Sequence, residues 1–457
     1  MIKEKNTSNL FFLFVSLHLF MWTLAPSISN INLPLDTIEA IAWGSSLDWG
    51  FTKHPPLSAL FVEIFYQIFG NQDWVYYLLS QIFVIFSFFV VWKFSEEFLK
   101  NKLFSLISVL LLEGIFYYNF TSPEFNVNVC QLPFWALTIY YAWQSFKYNT
   151  NKNWLFFGFF SALGFLSKYL FIYLLIGISI FFLFQSVKKK KFNIKYLIPL
   201  FIFFVVISPH IYWLINNNFS TLVYAINRTG VEDLSVLKHI FSPLLFLAKQ
   251  LGILIPFFIM TILLIKKLKF KINLNDKKLL FLTCVNIFPI IAIFLTSLIF
   301  GVKIRTMWMT PFYLFFGIFI IYLLKSQIDL TKIKKFIFSF LFFFLLSPAI
   351  YLYISISDDT KRTDYPGKEI AYLVQSKWNK NFSNEISLIV GDEWFGGNLS
   401  YHLLPRPKWV NSIDNNLQNI KIDGGVIYIG NPKILKQICP GVYGTIKPTG
   451  ICMIGSK

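Results

Sequence analysis

Residues 10–57 read "LFFLFVSLHLFMWTLAPSISNINLPLDTIEAIAWGSSLDWGFTKHPPL", an uncharged apolar run followed at once by a polar cluster. The run over 10–28 contains no Asp, Glu, Lys or Arg, and its length suits the ~17–25 residues that cross a bilayer as a helix. Lys3 and Lys5 precede it as they would precede a secretory signal. The stretch 10–25 is long for the apolar part of such a signal, so the reading is a retained first transmembrane helix.

The rest of the chain extends that reading. Of 457 residues, 56% are hydrophobic and only 14% charged, with 55 Phe and a mean hydropathy of +0.58. A soluble domain carries more charge, whereas each membrane span demands apolar residues. The net charge of +18 would raise the question of nucleic acid in a soluble protein. Here the basic residues fall in short loops between apolar runs, which is a topology signal, so no nucleic-acid partner is expected.

Spans are expected near 10–28, 74–93, 103–120, 128–146, 154–167, 169–187, 196–214, 241–265, 279–300, 306–324 and 336–354, about eleven transmembrane helices in an all-α polytopic membrane protein. The 154–187 pair is interrupted by "SALGFLSKYLF" with Lys168. With a cytoplasmic N-terminus, that terminus together with the inside loops and their flanks holds 22 of the 41 basic residues, including "KKKK" at 188–191 and "KKLKFK" at 266–271. Such a bias fits the positive-inside rule. An odd span count then places the tail outside.

The division expected is 1–354, a transmembrane domain, and 355–457, a small α/β domain on the outer, periplasmic side. In the tail, "NEISLIVGDEWFGGNLSYHLL" and "DGGVIYIGNP" are short β-prone runs ending in Gly, Asn and Pro. Cys130 and Cys284 fall in spans and read as small apolar residues. Cys439 and Cys452 share the tail and are free to pair as a disulfide if it is periplasmic.

The loop from Ser29 to Asp73 is too long for a simple turn. Asp36 followed by Glu39 has the spacing of a helix capping box. Residues 57–70 place Leu57, Leu60, Phe61, Ile64, Phe65, Ile68 and Phe69 on one face, with Ser58, Glu63 and Gln67 elsewhere. This run is too short to span, so it reads as an amphipathic helix lying in the interface. "TKHPP" is then a rigid joint holding Lys53 and His54 at headgroup depth. Two readings stay open on these residues alone: a lysine reaching lipid phosphate beside an ordinary loop histidine, or part of a site. Asp36 is similarly open between helix cap and catalytic group.

Five segments in order then resemble the membrane glycosyltransferases of the C-type fold that take sugar from a polyprenyl-phosphate donor. That family includes protein mannosyltransferases and the aminoarabinose and galacturonic acid transferases acting on lipopolysaccharide. The segments are "LDTIEAIAWGSSLDWGFTKHPPLSAL" (35–60), "TSPEFNVNVCQLPFWALTIYYAW" (121–143), "NWLFFGFFSALGFLSKYLFIYLL" (153–175), "SPHIYWLINNNFST" (208–221) and "VKIRTMWMTPF" (302–312). The resemblance implies that Asp36 is the first-loop catalytic carboxylate and Glu39 its acidic partner, here three residues on rather than adjacent. It implies that Lys53 and His54, beside "PPL", meet donor phosphate or a metal ion, and that Lys168 of "LSKY" and Lys303 and Arg305 of the last segment bind donor phosphate. Glu124 stands where the family usually carries Asp. Glu124, His210 and Trp49 are candidates for acceptor, sugar or metal contact.

The chemistry agrees. A phosphate leaving group is helped by cations aimed at its developing charge, and an acceptor hydroxyl needs a carboxylate to take its proton. Ionisable groups at membrane depth, such as Lys168 and Glu124, are functional candidates by default. A divalent metal ion held by His54, His210, Glu39 and Glu124 has no tight ligand spacing behind it. No Walker loop or GxGxxG occurs, so no nucleotide cofactor is expected. The leading expectation is an inverting glycosyltransferase acting on a lipid or glycan acceptor, such as lipopolysaccharide, at the periplasmic face of a bacterial inner membrane. A protein O-glycosyltransferase is the runner-up. A lipid-linked sugar transporter or flippase is a third reading, disfavoured because the polar residues cluster at one face and no inverted repeat is detectable.

Overall fold

In the computed structural model, residues 6–229, 236–268, 273, 275–411 and 424–457 are described. Lys3, Lys5 and part of the 266–271 basic loop lie outside them. The opening run forms helix α1 (Thr7–Ser29), and the polar cluster after it lies between two short helices, α2 (Leu35–Gly44) and α3 (Leu57–Phe69). Helix α4 (Asp73–Leu99) returns through the bundle beside α1.

Next come α5 (Lys102–Leu110), α6 (Val127–Cys130), α7 (Leu132–Tyr148) and α8 (Asn151–Ser167). Lys168 follows in extended backbone with φ −165°, so the chain breaks there before α9 (Ile172–Lys189). The remaining helices before the tail are α10 (Leu197–Asn216), α11 (Ser220–Thr229), α12 (Val236–Ile253), α13 (Ile255–Ile262), α14 (Lys277–Phe300), α15 (Phe316–Leu324) and α16 (Ile333–Ser357).

Among the described residues, six helical segments are long and apolar enough to cross a membrane, and two further pairs bent by 48° and 54° bring the number to eight. The other three expected spans, 103–120, 128–146 and 154–167, are built from α5 to α8, whose lengths fall short of that criterion. The bundle is therefore polytopic, and its exact number of crossings is not fixed by helix length. In the interior, His18 of α1 and Glu113 lie 3.0 Å apart with no solvent exposure, which spares two ionisable groups the cost of meeting lipid alone.

Helix α3 shows how the interface is built. Ser58, Ala59, Val62 and Glu63 are buried against protein, while Leu60, Ile64 and Ile68 are exposed. Its apolar face therefore points outward, the reverse of a soluble amphipathic helix and the arrangement suited to lying against lipid.

The tail folds as α17 (Gly367–Asn381), β1 (Ile386–Val390), α18 (Phe395–His402), β2 (Lys408–Val410), β3 (Gly425–Gly430), α19 (Pro432–Ile438), β4 (Val442–Ile446) and β5 (Thr449–Ile454). The sheet order is β2-β1-β3-β5-β4, with β1 parallel to both β2 and β3 and the β5 pairings antiparallel. Cys439 and Cys452 form a disulfide, and Cys130 and Cys284 are free and buried.

This α/β unit sits on one end of the bundle. The Ile31 and Asn32 amides, just past α1, donate to the Thr363 carbonyl just past α16. Tyr401 donates to Asp73 at the start of α4 (2.6 Å). Arg406 reaches Glu63 of α3 (2.7 Å) and the Ile41 carbonyl of α2 (2.5 Å), and stacks 3.8 Å from the Tyr66 ring centre. The first-loop helices are thus clamped between bundle and sheet.

Candidate active site

Helix α2 begins at Leu35, with Pro34 as its N-cap and no side-chain capping bond. The capping box expected of Asp36 and Glu39 does not form, because Asp36 lies inside the first turn rather than at its cap. Its backbone N–H instead donates to the Glu124 carboxylate at 3.0 Å. Freed from capping, the Asp36 side chain lines a cavity of about 370 Å³.

Around that cavity the sequence candidates assemble. Asp36 and Glu39 from α2, Lys53 and His54 from the joint, Lys168 from the α8–α9 break and Arg305 all line it, and Arg228 from α11, not a sequence candidate, joins them. Tyr169, Tyr173, Tyr224 and Trp308 add aromatic walls. Lys53 Nζ bridges Glu39 (2.8 Å) and Glu393 of the α/β unit (3.2 Å). Lys168, only 6% exposed, donates to Asn128 at 2.5 Å and lies 5.0 Å from the Trp308 ring centre. An aromatic face at that range favours a cation.

Four candidates fall outside the lining. Glu124 touches Asp36 from behind. Lys303 is exposed, its backbone amide bonded to Thr229. Trp49 is 56% exposed, and its carbonyl lies 2.6 Å from His210 Nδ1. Because a carbonyl only accepts, Nδ1 donates, and Nε2 of the neutral ring then accepts the Tyr169 hydroxyl at 2.6 Å. Both ring nitrogens are engaged, so His210 latches the first loop to the residue beside Lys168.

Sequence reasoning missed Glu393, Asn128, Tyr224 and Arg362, the last outside the lining but with a charge that pulls on the Asp36 and Glu124 carboxyls. Glu393 carried a signal, an acidic pair in "GDEWFGG" just after a strand. Asn128 was a polar residue at the start of an apolar run. Tyr224 and Arg362 carried none.

The electrostatics follow from enclosure. Burial raises the Asp36 carboxyl above its ordinary range, against the pull of Lys168, Lys53 and Arg305. Burial likewise pushes Glu39 up to about 7, with Lys53 opposing. Glu124 rises to about 8, from burial and from the Asp36 carboxyl next to it. Burial pushes Lys168 down to about 7 and His54 down to about 3, the nearby cations adding to the second. Burial opposes the Lys53 charge too, but Glu39 and Glu393 outweigh it and hold that ammonium above its usual value. At neutral pH the cavity therefore presents a firm cation at Lys53, a neutral imidazole at His54, and carboxyls that hold their protons more tightly than usual.

The metal expectation does not find a matching donor set. Among the described residues no three His, Cys, Asp or Glu side chains converge as ligands, and His210 has no free nitrogen to offer.

A polytopic helical bundle with acids facing cations in a cavity at one end, capped by a small α/β unit, is the architecture of C-type membrane glycosyltransferases. Residues 53–213 match the family described as dolichyl-phosphate-mannose-protein mannosyltransferase. In fold the chain is similar to ArnT from Cupriavidus metallidurans in the apo state, at 11% identity and a TM-score of 0.64, covering 98% of each chain. It is similar also to the same protein bound to undecaprenyl phosphate, at 12% identity and a TM-score of 0.62, covering 96% of this chain and 97% of that one. No curated protein matches it in sequence.

Proposed function

We propose that the chain is an inverting glycosyltransferase that moves a sugar from a polyprenyl-phosphate donor to a lipid or glycan acceptor. The observation that carries this reading is the single cavity in which Asp36 and Glu39 face Lys53, Lys168, Arg228 and Arg305. A lipid-linked donor suits a site at one end of a membrane bundle, where the prenyl chain stays in lipid and the phosphate reaches the cations. The fold shared with a protein that binds undecaprenyl phosphate supports that choice of donor.

In the reaction the acceptor oxygen bonds to the anomeric carbon while the bond from that carbon to the phosphate oxygen breaks. The electron pair leaves on the phosphate, where Lys53, Lys168 and Arg305 stabilise it. The acceptor proton passes to Asp36, whose raised pKa makes its ionised form a stronger base. One displacement inverts the anomeric configuration. Glu124 holds the Asp36 backbone, and no step runs through a metal. The tail and the cavity share one end of the bundle. The basic-loop bias supports a periplasmic position for that end in a bacterial inner membrane, so lipopolysaccharide-like lipids are the acceptors to examine first.

The test compares glycolipid masses from cells lacking the gene with cells complemented by wild type. One sugar mass should vanish on deletion and return on complementation. Unchanged glycolipids together with a lost glycoprotein mass would move the acceptor to protein.

A further inference from the structure

We infer that Glu393 of the α/β unit is a positioning residue for Lys53, so that the tail completes the transfer site rather than merely covering it. The inference rests on the proposed donor and goes beyond it by giving the tail a role.

The geometry begins with the ammonium group. A lysine Nζ carries three donor hydrogens in tetrahedral array. Glu39 takes one at 2.8 Å and Glu393 takes a second at 3.2 Å. With two directions fixed by carboxylates from different parts of the chain, the third is fixed as well. Lys53 lines the cavity, so this third hydrogen is the one available to a phosphate oxygen. With Glu39 alone, the ammonium would pivot about one bond, and the long side chain would recover its rotamer freedom.

Glu393 is itself held in place. Its neighbour Asp392 accepts from the Trp394 and Phe395 amides (2.9 and 2.8 Å), capping α18, and the Gly391 amide donates to Val410 of β2 (3.1 Å). The Trp409 indole donates to the Asp392 carbonyl (3.3 Å). Helix α18 then lies directly on α2: a Cβ at Gly397 would fall 3.0 Å from Ile38 Cγ2 and 3.1 Å from Ala42 Cβ. The helix bearing Glu39 and the turn bearing Glu393 are thereby locked together, and both carboxylates converge on one nitrogen. Glu393 also borders a second, smaller cavity of about 100 Å³ beside Trp43, Asp48 and Trp213, so it is not sealed from solvent.

The charged and titratable groups around Lys53 are Asp36 and Glu39 from α2, His54 from the joint, Lys168 from the helix break, Tyr224 and Arg228 from α11, Arg305, and Glu393. Removing Glu393 takes away one of the like charges that raise Glu39. Protonation of Glu39 weakens its hold on Lys53, so the part of the acidic limb that reports Glu39 should move to lower pH.

The experiment uses the full-length protein in membranes, with Glu393→Met, Glu393→Asp and wild type. Binding of undecaprenyl phosphate is read by native mass spectrometry, and transfer rate by the appearance of the modified product. In Glu393→Met, kcat should fall about tenfold while donor KM stays within about threefold, because only a directed hydrogen bond is lost. Undecaprenyl phosphate should bind no more weakly than in wild type, since one competing anion is gone. Glu393→Asp should recover most of kcat. Wild-type kcat with an unmoved acidic limb in Glu393→Met would overturn the inference, even if the melting temperature fell, because that is the signature of an ion pair that only stabilises. Failure of wild type to bind undecaprenyl phosphate would overturn the donor reading and this inference together.

Discussion

Replacing Lys168 by Met separates catalysis from stability at this site. The Lys168 ammonium is 6% exposed and bonded to Asn128, with burial pushing its pKa down to about 7. A buried cation costs several kcal/mol in desolvation, and Met removes that cost while filling similar volume. The opposing loss is the Asn128 oxygen left unpaired, about 1–3 kcal/mol. The two nearly cancel, so the melting temperature should stay level or rise. Activity should behave otherwise. Losing one preorganised donor to a developing oxyanion costs about 2.7–4 kcal/mol, or roughly 10²–10³ in kcat. The pH sign follows from the lowered pKa. The neutral form is favoured in the folded state, so the stability that Lys168 withholds grows as pH falls from its ordinary value toward about 7. Its catalytic charge is lost as pH rises through about 7 in the free enzyme. Wild-type rate should therefore decline on the alkaline side, and Lys168→Arg, which stays charged, should flatten that limb. Transfer rates and thermal unfolding of the purified variants across pH 5.5–9 (a window of about two units around neutrality) check this. A Lys168→Met protein retaining more than about a tenth of wild-type kcat would refute the reasoning, given the expected cost.

Two further predictions follow from neighbouring contacts. Glu124 sits at about 8 and is mostly protonated at neutral pH, so Glu124→Gln should keep activity within about threefold, whereas Glu124→Ala, which strips the Asp36 amide of its acceptor, should cost about 1–3 kcal/mol of stability by thermal unfolding. Arg406→Ala leaves Glu63 buried and unpaired at the clamp between α3 and the α/β unit; about 3–5 kcal/mol should be lost, read as a lowered melting temperature and earlier protease cleavage within 355–457.

Much of this arrangement was legible in the chain because apolar periodicity and charge are local signals. The runs at 10–28, 74–93 and 336–354 fold as α1, α4 and α16 with little change. Lys168 was legible as an interruption, and the backbone does break there. The run 57–70 was read correctly as too short to span, although which face it would turn to lipid depended on Glu63 finding Arg406, a contact 343 residues away. Asp36 and Glu39 carry a local signal that the fold does not follow. Their spacing suggests a cap, but Pro34 takes the cap position and both side chains turn to the cavity. Lys303 and Arg305 look equivalent in sequence. Only Arg305 reaches the cavity wall, although two residues two apart in an extended backbone share a face, so the difference is set by tertiary placement and not by local pattern. Glu393 and Arg362 stayed hidden because their part in the site is created by docking of the tail, a tertiary event with no periodic signature.

The central claim is that Asp36 takes the acceptor proton in sugar transfer from a polyprenyl phosphate. It is tested most directly by complementing cells that lack the gene with Asp36→Asn and measuring glycolipid masses. The variant keeps the shape of α2 and its amide bond to Glu124. The account predicts normal expression of Asp36→Asn and no return of the missing sugar mass, while wild type restores it. Full restoration by Asp36→Asn would contradict the account and leave Asp36 a structural residue of the first turn.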